Sequence, residues 1–351
     1  MRGEENLLYR RFDHLPEGLL ETEADGLADL LGGPALIHLP GRRERPLFVS
    51  VLLHGNEWTG YDALRHLLRR YDGGRDLPRA LSIFIGNVSA ARRRLRRLEG
   101  QPDYNRVWPG GEAPEGPEGR MTAAVVEEMA ARRVFASIDI HNNTGLNPHY
   151  ACVNRLDDRF FHLARLFSRT VVYFTRPRGV QSMAFARLCP AVTVECGQSG
   201  QPHGEAHAME FVEAALHLSE HPLHAVPEHD IDLYHTVAAV RVPDGLRFGF
   251  GDCDADLCFE PDLDRLNFRE LRPGTLIGRL LHGDRLPLIV QDNEGREVRD
   301  DYFVLEEGEI LTARSLMPSM LTLDERVIRQ DCLGYLMERY PIHLSRAPFV
   351  G

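Results

Sequence analysis

The sequence predicts an α/β fold: a doubly wound, mixed sheet with helices on both faces, followed by a smaller C-terminal β-rich domain. Three observations carry this. From about residue 35 to 220, apolar runs of four to eight residues alternate with amphipathic stretches, the pattern of buried strands separated by helices. Three of those runs end abruptly on polar groups, at His54, His141 and Glu195. After about 222 the chain changes to short alternating runs broken by turn residues, which reads as a compact β unit.

Taken in order, strands are expected over 35–39 (ALIHL), 46–53 (PLFVSVLL), 80–86 (ALSIFIG), 134–140 (VFASIDI), 170–174 (TVVYF) and 191–195 (AVTVE). Helices are expected over 57–71, 122–132, 157–168 and 205–218, where apolar residues recur at helical spacing. The segment GGEAPEGPEG at 110–119 reads as a mobile Gly/Pro/Glu loop, placed to act as a lid. The stretch HPLHAVPEHD reads as a linker. The predicted division is therefore a catalytic domain over 1–222 and a β-rich domain over 223–351, with a terminal helix over 324–339.

Composition narrows the function. The chain has 351 residues, 43% of them hydrophobic, which is enough for a sizeable core. Its formal net charge of −11 argues against a general binder of nucleic acid or acidic membrane. No apolar run approaches the ~20 residues that span a bilayer, and the first residues lack a signal-type apolar stretch. Cys152, Cys189, Cys196, Cys253, Cys258 and Cys332 contain no CxxC pair. They read as separate buried thiols of a reducing compartment, and the expected location is cytoplasmic. Homo-oligomeric assembly is left open.

The ends of open α/β strands are where ligands bind, so the three polar run-ends matter together. His-x-x-Glu occurs four times, at His14, His54, His207 and His217, and is uninformative by itself. Only His54 sits where a buried strand becomes a loop, and Gly55 and Asn56 allow a tight turn that returns Glu57 beside it. Zinc takes imidazole nitrogen and carboxylate oxygen and, in catalytic sites, keeps a position open for water. His54, Glu57 and His141 make such a set. Asp139, two residues before His141 on the same strand face, can orient its imidazole. Glu195 is placed to serve as the base for an activated water; the alternative for a glutamate at that strand end is a buried salt bridge. Upstream of Asn105 and Arg106 lies a run of five arginines in six positions, 92–97. Arginine forks hold carboxylates and oxyanions, although such a run is also common as a solvated face.

Four segments in order, HGNEWTG, DYNR, DIHNNTG and VECGQSGQPHG, resemble the succinylglutamate desuccinylase/aspartoacylase branch of the zinc carboxypeptidase superfamily. The resemblance covers roughly 45 to 205. It implies a zinc carboxypeptidase-like fold with one zinc per chain held by His54, Glu57 and His141, and Glu195 as general base and acid. It implies that Asn105 and Arg106 bind the substrate carboxylate, and that an arginine just upstream polarises the scissile carbonyl; Arg97 is the choice, with Arg96 the alternative. The arginine that reads a second substrate carboxylate in aspartoacylase-like members has no counterpart in register. Arg176, Arg178 and Arg187 lie in that stretch, and Arg178 is taken as a substrate-binding candidate. The expected activity is hydrolysis of the amide bond of an N-acyl amino acid or similar small carboxylate-bearing substrate. The rival readings are a metallocarboxypeptidase acting on short peptides and a non-catalytic zinc or ligand-binding protein.

Overall fold

Strands form where the apolar runs are longest. The computed structural model describes residues 8–111 and 116–341. In chain order the first strands are β1 (Arg10–Phe12), β2 (Ala35–Leu39), β3 (Leu47–Val51), β4 (Leu81–Ile85), β5 (Ala136–His141), β6 (Tyr150–Val153), β7 (Thr170–Tyr173), β8 (Ala191–Glu195) and β9 (Asp232–Arg241). Every residue of β3, β4, β5 and β8 is buried, the signature of strands covered on both faces. These four pair in parallel, in the order β4-β3-β5-β8. The sheet is mixed because β2 runs antiparallel to β4 and β6 antiparallel to β8.

The helices Thr59–Arg70 and Pro202–His217 pack on each other, and Gln181–Phe185 packs against β5 and β8. One helix begins earlier than the sequence suggested, at Pro117 rather than 122. Proline suits a first helical turn, where its missing N–H has no partner to lose. The proposed lid at 110–119 includes residues 112–115, which lie outside the described residues.

Among the strands the sequence missed, β6 bears most on the site. Its four residues, YACV, follow a long polar loop and are too few to stand out. Its antiparallel register sets Tyr150 beside Glu195.

The later strands are β10 (Phe248–Phe250), β11 (Leu257–Phe259), β12 (Leu276–Leu280), β13 (Ile289–Asp292), β14 (Phe303–Glu306), β15 (Glu309–Thr312), β16 (Met317–Ser319) and β17 (Gly334–Arg339). Five form a separate sheet in the order β10-β11-β12-β15-β14, closed over a second core that includes Phe248, Leu257, Phe259 and Ile310. The others continue the main sheet: β9 pairs in parallel with β7, β17 and β13 flank β9, and β16 pairs with β17. The change of pattern near 222 is thus where helices stop alternating with strands, while sheet pairing runs on.

Two expectations need correction. The terminal helix covers only Glu325–Gln330, capped by the Asp324 carboxylate, which accepts from the N–H groups of Arg326 and Val327. The chain then breaks at Asp331 (φ −137°, ψ −89°), and Gly334–Arg339 is strand because it finds a ladder on β9 and buries Leu336 and Met337. Cys253 and Cys258, expected as separate thiols, are joined as a disulfide with Cα atoms 5.8 Å apart. The loop between them doubles back, with the Gly251 N–H donating to the Phe259 carbonyl, and this returns Cys253 to β11. Such a bond belongs to an oxidised chain; the other four cysteines are free and buried. No helix among the described residues is long and apolar enough to cross a membrane.

Candidate active site

His54 reaches the pocket through a strained turn. After β3, Leu52 adopts the left-handed region at φ 55°, a conformation that costs a bulky residue about 1–3 kcal/mol and persists only where its surroundings hold it. They do so here: Leu52 is fully buried, and its carbonyl accepts from the Asn87 N–H at 2.7 Å. The Glu57 N–H then donates to the His54 carbonyl at 3.2 Å, which closes the turn. Gly55 serves a purpose other than the one the sequence suggested. A Cβ there would lie 2.2 Å from the backbone of Ala90 and Ala91, so the residue is glycine because another stretch of backbone passes against it.

Glu57 lies between the two imidazoles. Its Oε1 is 2.8 Å from His54 Nδ1 and its Oε2 is 2.7 Å from His141 Nδ1, and the rings are 5.1 Å apart. Each histidine is held from behind by a second carboxylate: His54 Nε2 by Asp103 at 2.9 Å, and His141 Nε2 by Asp139 at 2.8 Å. Asp139 is itself fixed by the Ser50 hydroxyl at 2.6 Å. With Nε2 donating to its carboxylate, each Nδ1 presents a lone pair toward the same space. His54, Glu57 and His141 are the one group of metal-binding side chains among the described residues whose ligand atoms converge within 4.8 Å.

The electrostatics agree with a cation site. Burial works against a charged His141, but Asp139 and Glu57 outweigh it and hold its pKa well above the ordinary value. Burial and Arg96 oppose charge on His54, and Glu57 and Asp103 overcome them. Burial would raise Glu57, yet the two histidines keep it well below the usual carboxylate range. A place that favours protons on two imidazoles is a place of negative potential, and it favours a bound cation for the same reason. Two neutral imidazoles and one carboxylate, each imidazole backed by an acid, are the donors a zinc-class ion takes.

Glu195 behaves differently. It sits beside His141 in the β5–β8 register, and its Oε2 accepts from the Asn143 amide at 2.7 Å. No arginine or lysine pairs with it, so the salt-bridge alternative has no partner among the described residues. Burial pushes its carboxyl up to about 7, the range useful to a group that must both take and give a proton.

The arginine next to the His-Glu-His cluster is Arg96. It is buried, with Nη1 3.7 Å from Glu57 and Nη2 2.9 Å from Asp103 and 3.2 Å from Asp331. Arg97 turns away: its Nη1 donates to the Gln101 carbonyl, and it is absent from the pocket wall. Arg94, at φ 51°, offsets the turn that follows the helix Val88–Ala91, and the following residues leave Arg96 pointing inward. Asn105 lies on the pocket wall, its amide oxygen accepting from the Gln181 N–H at 2.8 Å and its amide nitrogen 3.1 Å from His141 Nε2 and 3.4 Å from Asp139. Arg106 pairs with Asp331 at 2.8 Å. Arg178 is exposed and lines a neighbouring surface groove rather than the metal pocket; Arg176, two residues earlier, is the arginine of that stretch on the pocket wall.

The rest of the wall is mainly apolar, including Tyr150, Cys152, Val172, Phe174, Val180 and Met320. Ser319, Asp331 and Tyr335, from the C-terminal third of the chain, also line it. Sequence reasoning missed two charged residues. Asp103 could have been found, because each histidine ligand needs an acid behind it and DYNR supplies one. Asp331 left no signal, being 225 positions from the arginine it meets.

The fold and the site together define an open α/β protein with a buried His-Glu-His cluster at the carboxyl ends of parallel strands. The model of the succinylglutamate desuccinylase/aspartoacylase catalytic domain matches residues 45–221, and the chain belongs to that family. Among solved structures it is similar to the succinylglutamate desuccinylase from Chromobacterium violaceum, with 18% identity, a TM-score of 0.55, and 86% of this chain and 87% of that one covered. It is likewise similar to a succinylglutamate desuccinylase/aspartoacylase from Rhodobacter sphaeroides, with 15% identity, TM-score 0.55, and coverage of 86% and 88%. Murine aminoacylase 3 matches with 15% identity, TM-score 0.52, and coverage of 85% and 96%. No curated protein matches by sequence.

Proposed function

We propose that the protein is a zinc-dependent amidohydrolase that removes the acyl group from a small N-acyl amino acid or a derivative of one. The observation that carries this is Glu57 set between two histidines, each with its far nitrogen held by an acid. A zinc-class cation held by His54, Glu57 and His141 supplies Lewis acidity, which polarises a carbonyl and makes water more acidic. Glu195 takes the proton from the attacking water, with Oε2 kept in place by Asn143, and returns it to the departing nitrogen. Arg96 adds fixed positive charge where the carbonyl oxygen becomes negative. The relatives named above as desuccinylases and an aminoacylase support the choice of amide hydrolysis.

In this reading residues 1–222 supply the reacting groups, and 223–351 supply part of the wall through Ser319, Asp331 and Tyr335. A wall on that side suits a small substrate better than a peptide running through the cleft, which favours a deacylase over a carboxypeptidase. The test is metal content by elemental analysis combined with amine release from N-acyl amino acids and short peptides. About one zinc per chain, lost in His141→Ala, with release from the N-acyl compounds, is the expected result. A protein that takes up no metal sinks the hydrolase reading, and release from peptides alone makes it a peptidase. Glu195→Gln should abolish turnover while keeping the metal.

A further inference from the structure

The arginine that should anchor a substrate carboxylate already has one. Asp331 Oδ1 lies 2.8 Å from Arg106 Nη2, and its Oδ2 lies 3.2 Å from Arg96 Nη2. Asp103 contributes a second carboxylate, 2.9 Å from Arg96. Two guanidiniums therefore face two aspartates before any substrate arrives, and the second Arg106 nitrogen, Nη1, donates to the Asn105 carbonyl. The charge of Arg106 is thus already matched by a carboxylate of the protein. Buried ion pairs of this kind are costly to break, because the partner left behind is an uncompensated charge.

Asp331 is not free to swing out. Its own N–H donates to the Val327 carbonyl, and two residues later the Leu333 N–H donates to Val240 of β9. The two residues that follow it, Cys332 and Leu333, are buried. The carboxylate is thus mounted on the end of a helix on one side and on the main sheet on the other. Elsewhere the pocket offers mostly apolar surface, from Tyr150, Val172, Phe174, Val180 and Met320. Arg176 on that wall gives its Nε to the Asn293 carbonyl.

We propose that Asp331 is a specificity-determining residue that makes this pocket select acyl amides bearing an uncharged group, rather than a carboxylate, at Arg106. The proposal rests on the reading of the pocket as an acyl-amide site and names its substrate class: an N-acyl amino acid whose carboxyl is blocked as an amide or ester, with an apolar remainder. A carboxylate at that position would have to displace Asp331 or lie against it, and like charges in a shared site repel strongly.

The test compares N-acetyl-L-leucine with N-acetyl-L-leucinamide on the metal-loaded protein. Binding is measured by titration calorimetry, and amine release is scored on the same samples. The wild type should bind the amide at least ten-fold more tightly than the acid. Asp331→Asn, which keeps the shape and removes the charge, should tighten the acid at least ten-fold and change the amide less than three-fold. Asp331→Ser should move the ratio the same way, and melting curves check that both variants fold. The proposal is overturned if the wild type prefers the acid, if the acid-to-amide ratio is unchanged in the variants, or if Asp331→Asn fails to bind the acid. A protein that shows the predicted binding but releases no amine refutes the deacylase reading and leaves the role of Asp331 standing.

Discussion

Asp139 holds His141 through Nε2 at 2.8 Å, and so decides which imidazole nitrogen faces the pocket. Without that acid the ring could present either tautomer. Asp139→Asn should therefore weaken metal binding by about 10–100-fold while leaving the ligand set intact. Competition with a chromophoric chelator measures this directly. An unchanged affinity would mean that the fold alone orients the ring.

Arg96 and Arg97 separate cleanly by experiment. Arg96→Lys keeps a charge but loses the fork whose Nη2 meets Asp103 and Asp331 while Nη1 faces Glu57, and should lower turnover by about 10²-fold or more, the scale for losing a donor to a developing oxyanion. Arg97→Ala removes a group bonded to a loop carbonyl and should change turnover less than about two-fold, since it reaches no reacting atom. Steady-state kinetics on the two variants checks the assignment, and a larger loss with Arg97→Ala would reverse it.

Glu195 makes the metal-free protein pH-sensitive in a definite direction. Burial raises its carboxyl from the ordinary value of 4.5 to about 7, so the folded state holds this proton more tightly than the unfolded chain. Its stabilising contribution is complete below pH 4.5 and is lost as pH rises through about 7. Glu195→Gln stays neutral throughout. In chelator-treated protein the variant should gain stability relative to wild type across that window, reaching about 3 kcal/mol above it. Urea melts of the two proteins at pH 5 and pH 8 provide the comparison; a constant difference would show that the carboxyl is not raised.

Gly55→Ala should be far more damaging than its size suggests. The added Cβ would press on the backbone of Ala90 and Ala91 at 2.2 Å, and neither side can retreat without moving His54. A loss of about 1–3 kcal/mol or more, together with weakened metal binding, is expected from thermal melts and elemental analysis. A variant with normal stability and full metal content would show that the turn can shift without cost.

Much of this was legible from the sequence. The strands that deliver His54, His141 and Glu195 are the longest buried runs, and a run buried on both faces leaves little room for misreading. The residues that support them were harder to see. Arg96 and Arg97 have the same chemistry and adjacent positions, and only the path of the chain after Arg94 decides which points inward. Asn105, expected as a substrate-binding residue, lies on the pocket wall, and its amide also meets Gln181, Asp139 and His141, contacts that the sequence does not reveal. The segment 334–339 carries a helical pattern that a ladder on β9 overrides, since strand propensity answers to neighbours more than to local sequence. Asp331 reaches Arg106 only through that ladder.

The continuity of the main sheet sets how the pocket can open. Strand β9 is hydrogen-bonded to β7 on one side and to β17 on the other, so the segment bearing Asp331 and Tyr335 is stitched to the same fabric as Glu195. Swinging the C-terminal third aside like a jaw would tear a row of backbone hydrogen bonds at each turnover. Traffic into and out of the pocket therefore falls to side chains and surface loops, and the width of the doorway, rather than the travel of a hinge, limits what the protein can admit.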